Sequence, residues 1–234
     1  MPIQSFLVKT PHHTILVDAC FGNHKERTNP RFNMLDTPWL ARLAEAGAAP
    51  EDIDFVMCTH LHGDHVGWNT RLDNGRWVPT FPHATYLFAE TEWRHWDTVS
   101  RNSGAPLGPH LVDSVLPVID SGQAAFVGMD HEIEDTVAFD PLPGHTPGHV
   151  GLRVQSKGAE AILTGDMMHH PLQVVHPDWC SGFCTDAALA RQTRRAFLER
   201  TADTRILVAP AHFPAPTFGF VRRNGGSFGF RFDE

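Results

Sequence analysis

No apolar run in this chain approaches the roughly 18 residues that a membrane-spanning helix requires, so no spanning segment and no membrane partner are expected. The N-terminus, MPIQSFLVKTPHHT, lacks the basic stretch and long apolar core of a secretory signal, and a cytoplasmic location is the expectation. Cations are in short supply. Lys and Arg number 19 against 27 Asp and Glu, and a formal net charge of -8 has the wrong sign for a general nucleic-acid binder. Arg191, Arg194, Arg195, Arg222 and Arg223 gather in RQTRRAF and FVRRNGG, which read as a solvated helix face and a solvated turn. Four cysteines are too few for a disulfide scaffold. Cys58 ends an apolar run and reads as a small core residue; Cys180 and Cys184, in CSGFC, read as free thiols. Tyr86 is the sole tyrosine, so a phenolic donor is available at one position only.

Histidine is the exception to this scarcity. Sixteen of them is well above ordinary usage, and three stand with an aspartate inside CTHLHGDHVGW: His60, His62, Asp64 and His65. The length of 234 residues fits one domain, and neither a repeat nor a linker rich in Gly, Ser or Pro divides it. SFLVKT and TILVDAC read as strands around the turn PHH, and IDFVMCT as a buried strand. DTPWLARLAEAG reads as a helix capped by Asp36 or Thr37 and stopped at Gly47. ATYLFA, AFDP, HVGLRVQS, AEAILTGD and RILVAPAH read as strands, ETEWRHWDTVS and TDAALARQTRRAFLER as helices, and FGFVRRNGGSFGFRF as a closing hairpin at Asn224-Gly225. Strands that alternate with helices in some places and form hairpins in others predict an α+β fold with two mixed sheets and helices outside.

Four segments share one grammar, an apolar strand followed at once by a metal-ligand type: FVMCTHLHGDH, FDPLPGHTPGH, AILTGD and LVAPAH. A rigid scaffold presents side chains to a common point from such strand-end loops. In the first segment His60 and His62 fall on one side of an extended chain, and Gly63 permits the turn that Asp64 and His65 need. A bound cation neutralises such crowding, and imidazole with carboxylate suits zinc and other first-row ions.

The pattern H-x-H-x-D-H at 60–65, followed by His145, Asp166 and His212, resembles the metallo-β-lactamase superfamily from SFLVKT to APAH. The resemblance implies a single domain over residues 1–234, an αββα sandwich holding two divalent metal ions, zinc first and iron, manganese or cobalt as substitutes. By position His60, His62 and His145 would hold one ion, and Asp64, His65 and His212 the other, with Asp166 bridging. A hydroxide bridging two metals about 3.5 to 4 Å apart would attack a carbonyl or phosphoryl centre. Asp64 would orient it and carry a proton to the leaving group. Asp18 and Thr59 are expected to support the ligands by hydrogen bonds, and His149 to support its turn. Trp68, His170 and Trp179 are the residues expected to line a substrate pocket.

Within that superfamily the wording from TILVDACFGN to HVGWNT resembles the branch of acyl-homoserine lactonases and methyl-parathion-hydrolase-like arylesterases. The implied substrate is a small molecule with an ester-type electrophile: a lactone, aryl ester or phosphotriester. Those lactonases carry a tyrosine after the bridging aspartate, a place this chain leaves without one. That branch commonly has an N-terminal strand or arm ahead of the SFLVKT strand, with a homodimer among its assemblies. The alternatives are an iron-dependent oxidoreductase of the persulfide dioxygenase type, or a thioester or β-lactam hydrolase. The glyoxalase II type carries an extra helical domain, whereas 22 residues follow His212 here.

Overall fold

In the computed structural model, which describes residues 1–233, the first turn is closed by Thr10, whose amide donates to His13 O at 2.9 Å. Thr10 Oγ1 accepts the amides of His12 and His13 at 3.1 and 2.9 Å. β1 (Phe6–Lys9) therefore folds back antiparallel on β2 (Thr14–Val17), Phe6 opposite Val17. The remaining strands are β3 (Phe55–Met57), β4 (Thr70–Asp73), β5 (Arg76–Pro79), β6 (Thr85–Ala89), β7 (Ala124–Val127), β8 (Glu132–Glu134), β9 (Val137–Pro141), β10 (Val150–Ser156), β11 (Ala159–Gly165), β12 (Leu207–Pro210), β13 (Gly219–Asn224) and β14 (Ser227–Phe232). The helices are α1 (Trp39–Glu45), α2 (Gly63–Val66), α3 (Glu90–Ser103), α4 (Pro109–Ser114), α5 (Leu116–Asp120), α6 (Leu172–Val175) and α7 (Ala187–Thr201).

Contacts group the described residues into two compact units. The first comprises Gln4–Phe88 and Trp96–Val127. Its sheet has the order β1-β2-β3-β6-β7, and β3 lies parallel to both β2 and β6. Val56, Met57, Tyr86, Leu87 and Phe88 on the parallel strands are all buried, as expected where both faces of a sheet are covered. A buried ionic knot ties the loop after β2 to α4: Arg27 grips Asp113 with both guanidinium nitrogens at 2.6 and 2.9 Å, and Lys25 Nζ lies 3.5 Å from the same carboxylate. Burial lowers the Lys25 ammonium to about 8, with Asp113 opposing that shift.

α1 begins one residue later than its sequence suggests. Neither Asp36 nor Thr37 caps it; the cap position is Pro38, which has no side-chain hydrogen bond to offer. Thr37 is engaged instead by Asn23 Oδ1, which accepts its amide and its hydroxyl at 2.9 and 3.0 Å. Gly47, at φ +85°, ends the helix.

Gly67 meets the tightest backbone approach in this unit. A Cβ there would lie 1.8 Å from the carbonyl carbon of Phe21, while the Gly67 amide donates to Cys20 O at 2.7 Å. Gly67→Ala is expected to cost more than about 3 kcal/mol because backbone rather than a flexible side chain must move. Thermal unfolding checks this, with a Tm fall of about 10 °C expected for a chain of this size; an unchanged Tm would show that the loop yields freely.

The second unit comprises Met1–Ile3, Ala89–His95 and the chain from Gly128 onward. Its seven strands run β14-β13-β12-β11-β10-β9-β8, antiparallel except for β11 beside β12. Asn224 pairs with Ser227 at the closing hairpin. α7 starts at Asp186, whose carboxylate accepts the amides of Ala188 and Leu189, and its Phe197 and Leu198 join Ile162, Val208, Val221 and Phe228 in the core. Arg194 departs from the solvated-face reading of α7. It is fully buried, and its guanidinium donates to the carbonyls of Met167, Pro177 and Trp179 at 3.1, 2.7 and 2.9 Å. The side chain fastens the loop after β11 to the helix. No helix among the described residues is long and apolar enough to cross a membrane.

Candidate metal centre

β3 ends at Met57 and delivers a buried turn. Thr59, His60 and His65 are 1%, 0% and 1% exposed. Before them Cys58 is buried, and that burial pushes its thiol upward. Asp18, at the end of β2, organises the cluster. It holds φ +59°, a left-handed conformation uncommon for aspartate, and is 1% exposed. Its carboxylate accepts the Thr59 amide at 2.8 Å, the Thr59 hydroxyl at 2.9 Å and His65 Nδ1 at 2.8 Å.

These bonds set the ring tautomers. His65 donates its Nδ1 proton to Asp18, which leaves the lone pair on Nε2, 3.7 Å from Asp64 Oδ1. The Thr59 hydroxyl spends its proton on Asp18, so its oxygen accepts from His60 Nδ1 at 3.1 Å. His60 Nε2 then also carries a lone pair, and it faces His62 Nδ1 at 3.0 Å.

The second unit repeats the device at the ends of β9, β11 and β12. Asp166 is 4% exposed; its Oδ2 lies 3.4 Å from His145 Nε2 and 3.2 Å from His169 Nε2, and its Oδ1 lies 3.0 Å from His212 Nε2. His212 donates Nδ1–H to Pro2 O at 2.7 Å, so its Nε2 turns a lone pair toward a carboxylate. His149 donates Nδ1–H to Leu142 O and accepts the Asp166 amide on Nε2, both at 2.9 Å. It steadies the turn and the aspartate from behind.

A lone pair facing a carboxylate at about 3 Å, as His212 Nε2 faces Asp166 Oδ1, is repelled unless a proton or a cation lies between them. Imidazole and carboxylate donors, tautomers already set by outer hydrogen bonds, are the donor set that a divalent first-row ion takes. His145, Asp166 and His169 bring three such atoms within 4.8 Å of one another. The residues fit a metal.

Of His169 and His170, which both follow Asp166 in GDMMHHP, the sequence favours His170 as the pocket residue, whereas it is His169 that faces the carboxylate. The backbone turns after Asp166, with Met167 N–H on Thr164 O, and at three residues' spacing His169 faces back toward the carboxylate. His170 is exposed, and its Nδ1 accepts the Leu172 amide. Trp68 is 6% exposed and stacked on Trp39, so within its unit it packs as core. Trp179 is 55% exposed and stacked on His176. Tyr86 is buried, donating to Asn69 O and accepting the Phe81 amide, which leaves its hydroxyl occupied.

His110 on α4 packs against the motif, its Cβ 3.3 Å from where a Gly63 side chain would begin. Burial, reinforced by Arg27, holds its imidazole down to about 4. The folded value lies below the unfolded one of about 6.5, so the unfolded chain binds more protons between those values. The stability this group permits is complete above about pH 6.5 and falls by about 3 kcal/mol as pH drops through 4. His110→Gln is expected to flatten denaturant-derived stability between pH 6.5 and 4; an unchanged slope would reject that assignment.

A family model described as the metallo-beta-lactamase superfamily matches residues 1–212. The chain belongs to this superfamily. Over 203 residues it is 24% identical to an N-acyl homoserine lactonase of a Bacillus species, covering 81% of this chain and 73% of that protein. It is 21% identical over 175 residues to the N-acyl homoserine lactonase of Bacillus thuringiensis, covering 70% of this chain and 62% of that one. Among solved structures it superimposes on AidC, a dizinc quorum-quenching lactonase in complex with its product N-hexanoyl-L-homoserine. There the TM-score is 0.80 at 25% identity, over 99% of this chain and 79% of AidC. The hydrolase AbOPH shares the fold with a TM-score of 0.84 at 24% identity, over 99% of this chain and 79% of that one. The fold is the metallo-β-lactamase fold, and the chain is a metal-dependent hydrolase by class.

Proposed function

We propose that both units serve one domain and one dinuclear centre, and that this centre hydrolyses a lactone or a related aryl ester or phosphotriester. His60, His62 and His145 would hold one ion and Asp64, His65 and His212 the other, with the Asp166 carboxylate available to both. Zinc is the expected metal. The observation that carries the reading is the set of imidazoles whose tautomers are locked from outside by Asp18, Thr59 and Pro2 O, which leaves an Nε2 lone pair on each. When bound, two such ions polarise a substrate oxygen and bring the pKa of water from 15.7 toward about 7.

The chain's own residues then have distinct tasks. The Asp64 side chain is 25% exposed, the open member of a buried cluster, and is suited to orient the attacking water and pass its proton to the leaving group. Asp18 holds His65 directly and His60 through Thr59, so neither ring can turn its N–H toward the metal. His149 fixes the backbone of Asp166. His169, 3.2 Å from Asp166 Oδ2, is the group we assign to steady the substrate oxygen. The lactone leads the ranking because lactonases stand among the relatives and AidC retains a homoserine product.

The test is hydrolysis by the zinc-loaded chain of an acyl-homoserine lactone, an aryl ester and an aryl phosphotriester, alongside metal analysis. Turnover of the lactone with about two zinc ions per chain supports the reading. One tightly held iron and no turnover would point to the oxidoreductase chemistry of this fold instead.

A further inference from the structure

We infer that Cys180 and Cys184 form an oxidisable dithiol whose state is coupled to His145. The pair lies in the loop between α6 and α7, and both thiols are free and half-buried, open to a small oxidant. Between them the chain turns back on itself: Cys184 N–H donates to Ser181 O at 3.4 Å, and Cys184 Sγ lies 3.7 Å from Ser181 Oγ, so the turn folds the two cysteines toward one another. Arg194 holds the loop immediately before them through the carbonyls of Pro177 and Trp179. The loop immediately after them is pinned to the histidine turn, since Thr185 N–H donates to His145 O at 2.8 Å and Asp186 N–H to Gly144 O at 3.0 Å. That arrangement brings Cys184 Sγ to 3.7 Å from His145 Nδ1, the nitrogen on the far side of the ring from Asp166. The thiol thus stands where an outer hydrogen-bond partner of a metal-binding histidine stands.

A hydroperoxide supplies the chemistry. One sulfur attacks the O–O bond to give a sulfenic acid and water; the second thiol displaces that hydroxyl as water, and a disulfide results. Two thiols lose two electrons, and the peroxide is reduced to two waters. Closing the sulfurs to about 2.05 Å draws Cys184 toward Cys180 and away from the Nδ1–H that an Nε2-ligating His145 points at its sulfur. His145 then loses this neighbour. The loss of an outer partner costs about 10- to 100-fold in metal affinity. This consequence rests on His145 being a metal ligand, as proposed above.

The experiment treats the zinc-loaded chain with hydrogen peroxide, maps the peptides for a Cys180–Cys184 bridge, and measures zinc retention against a chromogenic chelator. The expected result is the bridge, an apparent zinc affinity about 10-fold weaker, and full recovery with dithiothreitol. Cys180→Ser, which lacks the partner thiol, is expected to hold zinc as the reduced parent does and to form no bridge with peroxide, its Cys184 stopping at the sulfenic acid in the same map. No bridge in the map, or a bridge with zinc retention equal to that of the reduced chain, overturns the inference. Failure of the metal reading looks different: the reduced chain would hold no zinc, whatever the map shows.

Discussion

Asp166→Asn is expected to lower hydrolysis by on the order of 10³-fold or more, while leaving the circular dichroism spectrum of the chain unchanged. The two oxygens of Asp166 lie within 3.0 to 3.4 Å of nitrogens on three imidazoles, in a pocket of the second unit where the residue is 4% exposed. An amide there removes the negative charge that faces these three imidazoles, and its NH₂ cannot serve as the anionic ligand that the carboxylate offers. A cation loses both a ligand and its counter-charge. Zinc content should fall from about two ions per chain to about one or fewer, measured by elemental analysis after gel filtration. Full zinc content with full activity in this variant would sink the proposed centre.

Asp18→Asn carries the second large effect, and its reasoning differs. Asp18 touches no proposed reacting group; it acts through His65 and Thr59. As a carboxylate it only accepts, which keeps the His65 proton on Nδ1 and frees Nε2. Asparagine is nearly the same size, and its oxygen can still accept the Thr59 amide. Its NH₂ would then face His65 Nδ1 as a donor, favouring the opposite tautomer with the proton on Nε2. A protonated nitrogen cannot bind a metal. Zinc affinity is expected to fall by about 100-fold, and nitrogen NMR of the histidine rings should show the His65 proton moving from Nδ1 to Nε2. Thr59→Val, which removes the link to His60 alone, is expected to cost about 10-fold. An Asp18→Asn chain with unaltered tautomer and affinity would show that the carboxylate serves only the backbone turn.

Much of the architecture could be read from local pattern. The PHH turn, the hairpin of β10 and β11, and the Asn224-Gly225 hairpin each follow from turn residues placed between apolar runs. β4 and β5 carry the same kind of signal at Asn74-Gly75 and went unread, because the exposed Arg71, Leu72 and Asp73 lack the apolar alternation that marks a strand. α4 and α5 escaped for another reason: they are six and five residues long, with a proline within the first two positions of each, too short for a helical period to appear.

By itself the sequence determined the superfamily and where the ligand-type residues fall, His60 just past β3, Asp166 directly after β11 and His212 just past β12. Spacing along a strand is a local property, so it survives without coordinates. Only the tertiary structure decided that His169 rather than His170 faces Asp166, that Arg194 is buried on the carbonyls of a distant loop, and that Asp18 governs a histidine 47 residues away. The first depends on how the turn at Asp166 closes, and the other two on a carbonyl or carboxylate supplied by another part of the chain. The direction of a side chain's hydrogen bonds is set by the partner that folding brings to it, and no pattern within a few residues records that partner.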